Sequence, residues 1–224
     1  MAISVDTPLK RARLTVAFSL TRIKNQVSEL RSQQFPGDHP GPVKWLNLVS
    51  GLLDTATEYL DASKKTGIAE IARIGLTRDA AQLATHAYRY LTAMQGAGTE
   101  DLPYSIVPPL QRWFEQLGVT NSTLFRAELV PNYELRKFDP KLFAWVRNPS
   151  SSLKRAINQV EWPFLRVTAP AKAFSIIPHL AIVAHEIGHA LFEKVSWNID
   201  PFLQHEYPAL ISRIATRLSA STPP

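Results

Sequence analysis

The sequence contains no cysteine, and this absence excludes several classes of protein. Disulfide scaffolds, zinc ribbons, iron–sulfur proteins and enzymes with a thiol nucleophile all need that residue. A metal ion, if one binds, must be held by histidine, aspartate or glutamate. A chain that cannot form disulfides fits a reducing compartment, so we expect a cytoplasmic location.

Long apolar runs are absent as well. No stretch approaches 18 consecutive apolar residues, so we expect no membrane span. Glycine is scarce, with nine residues, whereas proline is frequent, with 17, and this balance favours helices joined by stiff loops. The 224 residues suffice for one large domain or two small ones.

Negative charge is in deficit, because 19 Asp and Glu residues stand against 25 Lys and Arg residues. The net charge of +6 permits contact with nucleic acid or anionic lipid. The basic residues are spread along the chain, with the densest groups at residues 10–13 and 64–65. That distribution is typical of solvated helix faces. Nucleic acid therefore stays an alternative partner, but the charge alone does not support it.

The first 100 residues have helical periodicity. A first helix from about residue 12 is predicted by apolar residues at alternating steps of four and three, namely Val16, Leu20, Ile23, Val27 and Leu30. After a Pro- and Gly-rich break at residues 35–42, a second helix is predicted to bury Val43, Leu46, Val49, Leu53, Ala56 and Leu60 on one side. A third helix is expected to begin at residues 77–79 and to close at residues 96–98.

The pattern changes after residue 100. Strands are predicted at residues 123–130, 133–138 and 164–168, and short helices at residues 108–117 and 150–160. Another helix is predicted over residues 178–195, followed by a helical segment that opens at Asp200. We therefore predict an α+β protein that is mostly α, with a helical N-terminal region at 1–100 and a second domain at 101–224 that can pack with it as one unit.

The second domain contains an HExxH motif, formed by His185, Glu186 and His189 around Ile187 and Gly188. A chain with this content of His and Glu would show the motif by chance about once in a hundred cases. The motif also lies in a strongly apolar predicted helix, where ionisable side chains are costly unless they have partners.

The spacing of the motif has a chemical meaning. Residues four apart lie on one face of a helix, so both imidazoles can bind one zinc ion. Glu186 lies beside that face, where it can hold a metal-bound water and accept its proton. Gly188 faces away from the metal side, where its lack of a side chain would let another backbone pack closely.

At these residues the chain resembles the zincin metallopeptidases. The stretch from Val183 to Leu191 resembles their active-site helix, and in particular that of the compact HExGH members such as the ImmA-like proteases. The resemblance covers about twenty residues, and it implies a zincin-like domain with a short antiparallel sheet, a zinc cofactor and a protein or peptide substrate. In that family an edge strand binds substrate as an added strand, and residues 123–138 are the expected equivalent.

The third metal ligand separates the zincin classes. The metzincin pattern needs glycine and histidine at positions that are Phe192 and Val195 here, so that class is excluded. The resemblance to gluzincins implies a carboxylate on the following helix. We predict Glu206, and the alternatives are Glu193, Asp200, His205 or a residue outside this chain.

Two functions are consistent with these observations. The first is a zinc-dependent peptidase in which the N-terminal helices position or restrict the substrate. The alternative is a regulatory or nucleic-acid-associated protein in which a basic helical region binds the partner and the zincin domain is an effector or an inert scaffold. The intact Glu186 favours the peptidase, since an inert scaffold has no need of a proton acceptor.

Overall fold

A computed structural model describes residues 6–36, 40–102, 107–116, 118–129 and 133–171, together with His185, Gly188 and Ser212. The chain divides into two units, Met1–Ile187 and Gly188–Pro224. The first unit contains nearly all of the described residues, and the architecture below is that of this unit. The expected boundary at residue 100 stays a prediction.

Three long helices form one side of the first unit. Helix α1 spans Asp6–Ser32, α2 spans Gly41–Ala62 and α3 spans Glu70–Thr92. Polar contacts fix α1 antiparallel to α2, because Arg13 near the start of α1 donates to the Ser63 carbonyl and Arg31 near its end donates to Asn47. The apolar stripe predicted for α1 is confirmed, with Val16, Leu20, Ile23 and Val27 all buried in the core.

Helix α2 is the central helix of the unit. Of the residues predicted to share its buried side, five are buried, but Val43 is 52% exposed, so that part of the prediction is wrong. Leu48 and Leu52 are fully buried on another side. A helix packed against α1, α3, α5 and β1 buries more than one face, and a search for a single stripe does not detect this.

Helix α3 begins seven residues before the predicted start. Thr77 resembles a helix cap in the sequence, yet its hydroxyl donates to the Arg73 carbonyl inside the helix. That bond to the preceding turn removes the need for a cap at this position. Residues 70–76 include good helix formers, so the helix continues back to Glu70.

The rest of the described fold is a small sheet with short helices. Helix α4 spans Val107–Gln116 and α5 spans Ser151–Asn158, and a single 3-10 turn lies at Pro140–Phe143. The strands are β1 at Thr123–Glu128, β2 at Glu134–Phe138 and β3 at Phe164–Pro170. All three predicted strands are therefore confirmed, and the fold is α+β and mostly α.

The sheet has the order β1-β3-β2 and is mixed. Strand β2 is antiparallel to β3, as expected, but β1 is parallel to β3, which differs from the predicted antiparallel sheet. The reason is topological: β2 runs antiparallel to β1, and after α5 the chain enters the sheet between these two strands as β3. Because β3 is antiparallel to β2, it is parallel to β1.

One hydrophobic core joins the helices to the sheet. It includes the buried stripes of α1, α2 and α3 together with Leu124 of β1 and Phe164 of β3. Helix α2 approaches α5 closely, because a Cβ at Gly51 would lie 2.6 Å from the Leu153 Cα. Within the described ranges, no helix is long and apolar enough to cross a membrane.

Candidate metal centre

Two residues of the HExxH motif are described, and both are helical. His185 is exposed and Gly188 is partly exposed. Helical structure at these two positions agrees with the prediction for residues 178–195. An exposed imidazole on a helix is accessible to a metal ion, and histidine is among the commonest zinc ligands.

The remaining predicted site residues lie outside the described part of the chain. These are the proton acceptor Glu186, the metal ligand His189, the third-ligand choice Glu206 and its alternatives Glu193, Asp200 and His205. Their assignment stays a prediction. Elsewhere, the described residues contain no group of three or more His, Asp or Glu side chains that could hold a metal ion.

The backbone packing that Gly188 would permit stays a prediction, because the segments next to it in the chain lie outside the described residues. A Cβ added there would meet no described atom within 4 Å. The expectation came from the usual meaning of a glycine inside a helix, namely room for a neighbouring backbone.

The strands expected to bind substrate, β1 and β2, are the two outer strands of the sheet among the residues that the structure describes. The outer edge of β1 is partly covered by the loop after α3, because the Ala127 amide donates to the Gly96 carbonyl at 2.7 Å and Arg126 Nε donates to the Gln95 carbonyl at 2.9 Å. Gly96 has φ +80°, and a Cβ there would lie 2.1 Å from the Ala127 oxygen. Strand β2 pairs with β3 alone among the described strands.

A charged network spans one face of the sheet. Arg166 on the central strand is only 8% exposed, and its Nη2 donates to Glu134 Oε2 at 2.7 Å. The other Glu134 oxygen accepts from Arg136 Nε and Nη2 at 3.0 and 2.6 Å. Burial opposes ionisation of Glu134, but these hydrogen bonds and the two guanidinium charges hold its pKa below the ordinary value.

Arg126 of β1 lies on the same face as Arg166. It forms an ion pair with Glu128 at 3.1 Å. Burial lowers the Arg126 pKa, and the nearby positive charge of Arg166 acts in the same direction while Glu128 opposes it. This network was not predicted, although one signal was present: Arg166 interrupts an apolar strand at an inward position, where a charge needs a partner.

A second charged group lines a cavity of about 340 Å³. Glu161, before β3, accepts hydrogen bonds from Lys44 of α2 and from the Ser122 hydroxyl. Burial tends to raise the Glu161 pKa, but the two donors and the Lys44 charge lower it below the ordinary value. Phe114 and Phe125, whose rings form an edge-to-face pair, also line this cavity.

His86 is a lone histidine on α3, and its surroundings are those of a packed side chain. Its ring lies 4.9 Å from that of Trp145. Burial lowers the His86 pKa, and the neighbouring Arg89 charge lowers it further. His86 is therefore a suitable control when His185 is tested.

Comparison with known proteins gives no relative: no family model matches the chain, and neither the curated proteins nor the solved structures contain a match.

Proposed function

We propose that this chain is a zinc-dependent peptidase of the zincin type that hydrolyses peptide bonds in a protein substrate. The observation that carries the proposal is the HExxH spacing of His185, Glu186 and His189 in a chain without cysteine. The helical conformation and exposure of His185 support it, since that residue must present its imidazole to an ion.

Each residue has a distinct role in this proposal. His185, His189 and Glu206 would hold the zinc ion. When bound, zinc would supply a Lewis acid for the scissile carbonyl and would lower the pKa of a water molecule. Glu186 accepts the proton of the attacking water and delivers it to the leaving amine.

The sheet offers a place for an extended substrate. Among the described strands, β2 is an outer strand, whereas the edge of β1 is partly covered by the loop at Gly96. A peptide added beside β2 would gain main-chain hydrogen bonds without relying on its side chains. We therefore assign substrate alignment to β2 within residues 123–138.

Metal content tests the proposal directly. We expect elemental analysis by mass spectrometry to find about one zinc ion per purified chain. His185→Ala should lose that zinc, because the remaining histidine of an i, i+4 pair binds the ion poorly alone. His86→Ala is the matched control and should keep its zinc. Full zinc content in His185→Ala would refute the assignment.

A second candidate function follows from the exposed cations of α1. Lys10, Arg11, Arg22 and Lys24 are all exposed, and such a surface suits the alternative of a regulatory protein that binds nucleic acid. Titration of DNA binding against salt separates the two functions. A steep loss of affinity with salt, in a protein without peptidase activity, would favour the alternative.

A further inference from the structure

A groove of about 370 Å³ runs between helices α1 and α3. Its walls include Val16 and Ile23 of α1 and Ala84 of α3, all of which are buried. Its rim carries the large side chains of Phe18 and Tyr88. The groove is therefore a concave apolar surface bounded by two long helices.

The large side chains at this groove are unusually exposed for their size. Phe18 is 72% exposed, and Tyr88 on the opposite wall is 46% exposed. Leu14 lies one turn before Phe18 on the same face of α1 and is 64% exposed. Clustered exposed apolar side chains of this kind mark an interaction surface.

Cations lie at both ends of the apolar stretch on α1. Lys10 and Arg11 precede it, Arg22 follows it, and all three are exposed. Between Asp6 and Glu29 the helix has no acidic residue. A second copy of this chain that docked through the same face would bring like charges together across the groove, whereas an acidic partner would neutralise them.

Two further features indicate the shape and polarity of the occupant. A cleft between two helices fits the apolar face of a third helix, which enters it with side chains spaced three and four residues apart. Gln26 lines the groove, and its buried Oε1 has no hydrogen-bond partner among the described residues. Because this oxygen is itself buried, the Gln26 side chain must turn toward the groove before a donor on the occupant can reach it.

We propose that the α1–α3 groove binds an acidic amphipathic helix of a partner protein. The apolar face of that helix packs between Phe18 and Tyr88, and its carboxylates face Lys10, Arg11 and Arg22. This binding surface goes beyond the proposed peptidase activity. Its test measures binding alone, so a failure of either proposal leaves the other standing.

The test uses the full chain and a labelled helical peptide of about 20 residues, with leucine and phenylalanine on one face and glutamate on the other. We expect binding by fluorescence anisotropy that weakens as salt is raised, because the rim contacts are ionic. Phe18→Glu should lower the affinity at least tenfold, and Arg22→Glu should lower it several-fold and flatten the salt dependence.

Two matched variants control for nonspecific effects. Val43→Glu changes an exposed apolar residue of α2, and Lys154→Glu changes an exposed cation of α5; both should bind the peptide as the wild type does. A peptide of the same composition in scrambled order should not bind. Circular dichroism of each variant checks that the helices are intact.

Several outcomes would overturn the proposal. Equal binding by wild type and Phe18→Glu would show that the groove is not the site. Equal binding of the scrambled peptide would show that charge alone drives the contact. Binding to phosphatidylserine vesicles or to duplex DNA that depends on Phe18, in the absence of peptide binding, would assign the surface to lipid or nucleic acid.

Discussion

Glu134 shows how much of the sheet's polar structure can depend on one side chain. Both of its carboxylate oxygens accept hydrogen bonds from arginines, one of them the buried Arg166 of the central strand. Without this carboxylate, Arg166 would keep its charge in a buried position with no anion opposite it. Leaving a buried charge unpaired costs more than the pair itself contributes.

We therefore expect Glu134→Gln to lower the free energy of unfolding at pH 7 by about 1–3 kcal/mol. The Glu134 pKa is lowered in the fold, so its contribution is present above the ordinary value of 4.5 and is lost as the pH falls through the lowered value. Urea denaturation across this acid range should show that the free energies of unfolding of wild type and variant converge as the pH decreases. Glu115→Gln on α4 is the control. An equal loss of stability in this control would contradict the role given to the pair of Glu134 and Arg166.

At the same scale, the two glutamates of the predicted metal centre should behave in opposite ways. Glu186→Gln should keep its zinc and lose peptidase activity, because its role is proton transfer. Glu206→Gln should weaken zinc affinity at least about tenfold, since a ligand matters at least as much as its supporting contacts. Zinc titration of both variants distinguishes them, and loss of zinc from Glu186→Gln would show that Glu186 is a ligand.

At the scale of elements, local patterns in the sequence carried most of the information. The stripe of α1 and the three strands were predicted because residues close in sequence determine their periodicity. The start of α3 was missed because Thr77 bonds within the helix, although it resembles a cap. The parallel pairing of β1 with β3 depends on contacts some forty residues apart, which periodicity does not encode.

The same limit applies to the candidate sites. The HExxH spacing is local and could be found in the sequence. Identifying the third metal ligand, by contrast, requires knowledge of how a later segment of the chain folds back toward the HExxH helix. The pairing of Arg166 with Glu134 also depends on sheet register, because Glu134 lies opposite Thr168 and reaches Arg166 across the strands. The groove between α1 and α3 likewise becomes visible only when the two helices are packed.

The contact between α2 and α5 gives a prediction about helix packing. Gly51→Ala should destabilise the fold by about 1–3 kcal/mol, because the new methyl group would clash with the Leu153 backbone and a tight core resists extra volume. Gly75→Ala in α3 is the matched control. A Cβ there would meet no described atom within 4 Å, so it should gain up to about 1 kcal/mol of helix propensity.

Urea denaturation of both glycine variants measures these changes. A gain in stability for Gly51→Ala would show that α5 can move away from α2 at little cost, and it would contradict the close packing described here.

At the scale of the whole first unit, the core does not separate the helices from the sheet. The Trp45 ring of α2 lies 4.6 Å from that of Phe164 on β3, and both side chains are buried. We therefore expect helices and sheet to unfold together, so that helical circular dichroism and tryptophan fluorescence follow the same transition.

Phe164→Ala should shift that joint transition, with a loss of about 3–5 kcal/mol for a large buried aromatic residue. Trp145→Ala, at a partly exposed position, should have a smaller effect. Two separate transitions in the wild type, with only the later one sensitive to Phe164→Ala, would instead support independent regions on either side of residue 100.

The strand order has a consequence for the way the chain folds during synthesis. The helices α1, α2 and α3 pair with neighbours in sequence and can associate as soon as they leave the ribosome. The central strand β3 is the last of the three strands to be made, so the outer strands β1 and β2 must wait for residues 164–170 before either has a partner in the sheet. During that interval their backbone groups are exposed to other chains, and a chaperone bound to the nascent protein would be most useful between the emergence of β1 and that of β3.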